Sequence, residues 1–97
     1  MSKIKLKAFD AADYLSSEED MQDYLQVALE DGDPKLLAAA LGDIAKARGM
    51  AQLAADTELS RESLYKSLSG ERAPSSETLF EVMKGLGFKL SVRPAHG

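Results

Sequence analysis

Residues 50–70 read "MAQLAADTELSRESLYKSLSG", and the spacing of their leucines decides the fold. Leu53, Leu59, Leu64 and Leu68 form an apolar skeleton that predicts two short helices joined by a tight turn. Small Ala54 lets the two helices approach closely at their crossing. Ser60 is a good N-cap for the second helix, and Leu59 and Leu64 occupy the N′ and N4 places of a hydrophobic staple. Gly70 stops that helix. With the leucines held inside, Arg61, Glu62, Ser63, Tyr65 and Lys66 are left to face outward.

This is the skeleton of a helix-turn-helix, a unit in which the second helix fits the DNA major groove while the first rests over the backbone. Base contacts concentrate at the start of the second helix, which offers Ser60, Arg61, Glu62 and Ser63. Arg61 can grip guanine O6 and N7 with two hydrogen bonds, Glu62 can accept from cytosine N4, and Ser63 is adaptable. Tyr65 and Lys66 suit phosphates or groove walls, and Arg72 in the next loop is a further phosphate candidate. Gln52 and Ala51 open the preceding helix, where a phosphate would meet backbone amides. Two short helices in this arrangement also occur as plain packing units, so the pattern by itself leaves both roles open.

Outward from this unit the chain is punctuated clearly. Asp33-Pro34 is a strong start signal for a helix whose face is Leu37, Ala40, Leu41, Ile44 and Ala45, ending at Gly49. Upstream, residues 16–32 predict a helix with Ser16 and Glu19 at capping-box spacing and Met21, Tyr24, Leu25, Ala28 and Leu29 on its core face. A short helical turn is expected just before it. Downstream, Leu79, Val82, Met83 and Leu86 line a last helix ended by Gly87. Residues 3–8, "KIKLKA", and 88–93, "FKLSVR", alternate with the period of a strand. These two strands pair with each other, or one of them pairs across a dimer axis; the pattern allows either.

Charge is unevenly placed in the 97 residues, whose net is −4. Residues 1–33 hold three lysines against nine acidic side chains, a net of −6, and the remainder holds nine cations against seven acids, a net of +2. The sequence pI of about 4.9 argues against indiscriminate nucleic-acid binding, which rests on phosphate neutralisation. No cysteine is present, which removes disulfides, thiol nucleophiles and zinc ribbons. The single histidine, His96, lies one residue from the end, and no glycine-rich phosphate loop or converging carboxylates are seen. The expectation is no enzyme: no catalytic residue, no metal ligand and no cofactor. With no apolar run of about 18 residues and no signal-peptide pattern, a cytoplasmic protein without membrane association is expected.

Three stretches go further: "ALEDGDPKLLAAALGDIAKARGMAQLA", "LSRESLYKSLSG" and "ETLFEVMKGLGFKLSV". In order and without gaps, they make residues 10–94 resemble the addiction-module antidote proteins, HigA-like antitoxins within the Cro- and phage-repressor-like helix-turn-helix class. The implied fold is mostly α, a five-helix lambda-repressor-like domain with short terminal β-strands. Residues 1–32 would then be an N-terminal strand and acidic helical segment, and residues 33–97 the DNA-binding domain with the C-terminal strand. The resemblance implies an antitoxin that neutralises a RelE/HigB-like mRNA-cleaving toxin. It further implies that the protein represses its own operon, binding double-stranded operator DNA as a homodimer. An RNA-cleaving partner is basic, so the acidic helix is its expected surface through Glu18, Glu19, Asp23 and Glu30. A solitary phage-type regulator without a toxin, and an antitoxin acting only by protein binding, are the alternatives. Two positions depart from the pattern. Ser63 stands where close relatives often have glycine. Glu58 stands where the wider class prefers it, and a non-glycine residue at positive φ would cost about 1 kcal/mol.

Overall fold

Punctuation residues divide the described part of the chain, residues 11–95 of a computed structural model, into a 3-10 turn and five α-helices. The turn, Ala11–Tyr14, precedes α1 (Glu18–Asp31), α2 (Pro34–Arg48), α3 (Met50–Asp56), α4 (Arg61–Ser67) and α5 (Ser76–Gly85). None of the described helices is long and apolar enough to cross a membrane.

Side-chain oxygens start four of the five helices. Asp33 accepts from the Lys35 N–H ahead of Pro34, Ser60 accepts from Ser63 N–H, and Ser75 from Thr78 N–H. The cap of α1 is Ser17, which accepts from Asp20 N–H at 3.0 Å, and not the Ser16 of the expected Ser16–Glu19 box. Ser16 instead donates to the Asp20 carboxylate. Both serines have an acid three residues on, so the motif fits two registers. The one realised turns Met21, Leu25 and Ala28 inward.

Gly49 makes the junction between α2 and α3. Its N–H closes α2 onto Ala45 while its carbonyl accepts from Leu53 to open α3, at φ 114°, a conformation that excludes other residues. At the far end of α5, Gly87 N–H meets Lys84 O and Phe88 N–H meets Met83 O. That pair of bonds is a Schellman motif, and Phe88 folds back onto the core.

One cluster holds the helices together. Leu15, Met21 and Leu25 from the acidic segment meet Leu41, Ile44, Met50, Leu53, Leu64, Leu68, Val82, Met83 and Leu86. No polar or charged residue among those described is buried. Most of the expected core is found there, with two differences. Ala38 is fully buried, and Leu29, expected inside, is 37% exposed on the flank of α1.

The expected C-terminal strand is not formed: residues 88–94 run without regular structure, and no strand occurs among the described residues. A strand exists only through its ladder partner, and the alternation of Phe88, Leu90 and Val92 supplies none. The other expected strand, residues 3–8, lies outside the described residues, as does His96.

Candidate functional site

The pair α3–α4 is joined by residues 57–60, and Thr57 shapes that turn. Its hydroxyl donates to Leu53 O at 3.0 Å and accepts from Leu59 N–H at 3.2 Å, ending α3 while orienting the chain toward α4. Thr57 is extended, and no described residue other than glycine has positive φ. The strain that Glu58 would have carried is therefore absent. The hydroxyl of Thr57, two residues before the half-buried Leu59, is the local turn signal of this segment.

Leu64 and Leu68 fix the inner side of α4; Leu64 is fully buried, Leu68 5% exposed. Arg61, Glu62, Ser63, Tyr65 and Lys66 are all exposed. At about 100° per residue, Glu62 and Lys66 point most directly away from the two leucines, with Tyr65 on one flank and Ser63 on the other, while Arg61 continues the row of Leu64 and Leu68. Glu62, Ser63, Tyr65 and Lys66 thus share the solvent-facing side, whereas Arg61, in the row of Leu64 and Leu68, is exposed because it begins the helix. Ser60 and Ser63 are partly engaged already: the Ser60 hydroxyl caps the helix and donates to Ser63 Oγ at 3.1 Å. Gln52, in the first turn of α3, is exposed but donates to both carboxylate oxygens of Asp56 at 3.1 Å.

Arg72 is brought to the same side. Together with Ser63, Lys66, Ser67, Ser75 and Thr78 it lines a shallow cleft of about 330 Å³ between α4 and the start of α5. Two cations and a set of small hydroxyls around an open cleft suit contact with phosphate oxygens. The hydroxyls of the cleft were not anticipated; "PSS" ahead of α5 was the available signal. Electrostatics is finely divided, since residues 51–72 carry Arg61, Lys66 and Arg72 against Asp56, Glu58, Glu62 and Glu71. None of the three cations enters an ion pair among the described residues.

The acidic candidates do not all share one face. Helical spacing puts Glu19, Asp23 and Glu30 along the outward ridge of α1, all exposed, whereas Glu18 sits on the flank nearer the C-terminal tail. Glu18 is bound by Arg48 at 3.3 Å, and Glu30 is approached by Arg93 at 3.8 Å. Arg48 is a junction that no local pattern announced. From the last position of α2 it also donates to Met21 Sδ and lies 5.7 Å from the centroid of the Phe88 ring.

This arrangement, a capped helix with a polar outer face beside a separate acidic ridge, can be set against known proteins. A protein of Haemophilus influenzae described only as uncharacterised is 47% identical over 89 residues, covering 92% of each chain. No solved structure matches the chain. The family described as probable addiction module antidote protein matches residues 5–94. With nearly the full length matched, the chain belongs to the family of probable addiction module antidote proteins.

Proposed function

We propose that the chain is the antitoxin of a type II toxin–antitoxin module, acting by binding and not by catalysis. It neutralises a RelE/HigB-like mRNA-cleaving toxin and, as a homodimer in the cytoplasm, represses its own operon by sequence-specific DNA binding. In this reading α3–α4 is a helix-turn-helix of the lambda-repressor type and α4 is its recognition helix. Membership of an antidote family supports a toxin partner in general terms.

The DNA reading is carried by one observation. Leu64 and Leu68 anchor α4 while Glu62, Ser63, Tyr65 and Lys66 face solvent and Arg61 is exposed at its capped N-terminus. Arg61 reads guanine and Glu62 reads cytosine, each in the major groove. Lys66 and Arg72 take phosphates, and Ser60 and Gln52 lie where the backbone would pass. Glu19, Asp23 and Glu30 attract the basic toxin from α1; Glu18 joins them only by leaving Arg48.

A gel shift on the region upstream of the gene, at several salt concentrations, tests the repressor role. Co-purification with the product of the adjacent gene tests the toxin. Salt-sensitive binding to an inverted repeat is expected, together with a stable complex; absence of both defeats the reading. A second reading, neutralisation by protein binding alone, is favoured by the three cations and four acids of residues 51–72, because phosphate affinity needs local positive charge. Toxin binding without any shift would select it. A regulator without a toxin is selected by the opposite result.

A further inference from the structure

Glu71 takes no part in the DNA contacts proposed above, yet the chain holds it in a defined place just past α4. The Ser69 hydroxyl donates to Lys66 O at 3.1 Å and accepts from Glu71 N–H at 3.2 Å. Between them Gly70, at φ 86°, lies so close to α2 that a Cβ there would meet that of Ala39 at 3.1 Å. Glu71 then lines an open cleft of about 580 Å³ together with Glu62, Tyr65 and Lys66. Lys66 and Arg72 border this cleft and also the hydroxyl-lined one at the start of α5. The two cations therefore stand between clefts of opposite character. One offers the hydroxyls of Ser63, Ser67, Ser75 and Thr78, and the other offers two carboxylates. All four charged side chains are exposed, and none of them enters an ion pair among the described residues.

A DNA backbone drawn to Lys66 and Arg72 can pass on either side of them. On the hydroxyl side its phosphate oxygens gain hydrogen bonds. On the acidic side they meet Glu71, and like charges about 4 Å apart in water repel by the equivalent of about fivefold in affinity. We propose that Glu71 is a specificity-determining residue that acts by exclusion, keeping the phosphate backbone out of the acidic cleft. Glu62 differs in kind. It stands on α4 itself, where a carboxylate accepts from a cytosine amino group, whereas Glu71 lies beyond the helix, where the backbone passes. DNA of unrelated sequence has no base contacts to fix its register, so it samples both sides and bears the repulsion. The operator is held by its base contacts with the backbone on the hydroxyl side and escapes it. Glu71 thus widens the gap between specific and non-specific affinity without touching a base, through a repulsive element set against the wrong complex. This inference rests on the DNA-binding function proposed above and names a residue that sets its discrimination.

The test titrates the full chain against two duplexes of equal length and composition, the upstream inverted repeat and a scrambled sequence. Glu71→Gln should raise affinity for the scrambled duplex about fivefold and leave affinity for the inverted repeat unchanged, with the same helical circular dichroism. The gain should shrink as salt is added. Glu71→Asp, which keeps the charge, should behave as wild type. Asp31→Asn removes the same charge from the exposed end of α1 and should alter neither affinity. An equal gain on both duplexes, a gain matched by Asp31→Asn or shared by Glu71→Asp, or no gain on either duplex overturns the proposal. Wild type that prefers the inverted repeat, with the same preference in Glu71→Gln, removes the role of Glu71 and leaves the repressor standing. Wild type that binds neither duplex removes both.

Discussion

Gly42 carries no side chain because α4 leaves no room for one. A Cβ there would lie 2.6 Å from the carbonyl oxygen of Leu68 and 3.3 Å from its Cβ. Gly42→Ala must push the end of α4 away from α2, at a cost of about 1–3 kcal/mol. A lowered urea midpoint is expected, and an unchanged one contradicts the contact. Glu58 yields the opposite kind of expectation. Since it does not occupy positive φ, Glu58→Gly relieves no strain and only loosens the unfolded chain, so stability should fall by about 0.4–1 kcal/mol. A gain measured by the same titration would show that the turn is strained after all. Neither point was legible beforehand. A close approach depends on a residue 26 positions away in sequence, and a turn conformation depends on Thr57 taking both bonds.

At the level of elements, caps and stops were readable because they are local chemistry. Asp33-Pro34, Ser60 and Gly49 mark helix boundaries through bonds they make themselves, and all three serve as expected. The start of α1 shows the limit of such reading. Ser16 and Ser17 each precede an acid by three residues, and only burial of Met21 and Leu25 chooses between them. Ser17→Ala should cost about 1 kcal/mol and Ser16→Ala much less; equal losses in thermal melts would contradict the assigned cap. The tail marks a different limit. Alternation of Phe88, Leu90 and Val92 describes what a segment is suited to pair with, but the partner strand is not written in it. The candidate site was legible as far as the outward side of α4, which periodicity defines. The cleft beside Arg72 and the Arg48 junction were not, since each joins segments distant in sequence.

Across the whole molecule, a single core supports an acidic ridge and, apart from it, a face of mixed charge. The exposed ridge of Glu19, Asp23 and Glu30 lies on α1, and the exposed cations Arg61, Lys66 and Arg72 lie in and after α4. α1 nonetheless packs into the same cluster as α4, so the acidic segment is part of the globule and its outer ridge alone is available to a partner. Glu19→Lys/Asp23→Lys/Glu30→Lys should abolish co-purification with a basic toxin while leaving affinity for operator DNA within about threefold at physiological salt, where charges beyond about 8 Å are screened. Retained toxin binding would move the toxin surface elsewhere.

The assignment of α4 to DNA is tested most directly by titrating the upstream inverted repeat with wild type and with Arg61→Ala/Lys66→Ala. Removing a bidentate base contact costs about 1–3 kcal/mol and removing a phosphate contact lowers the salt slope by about 1 per copy. At least a tenfold loss of affinity and a shallower salt dependence are expected, with the helical circular dichroism unchanged. Wild-type affinity and salt dependence in the double variant would contradict it.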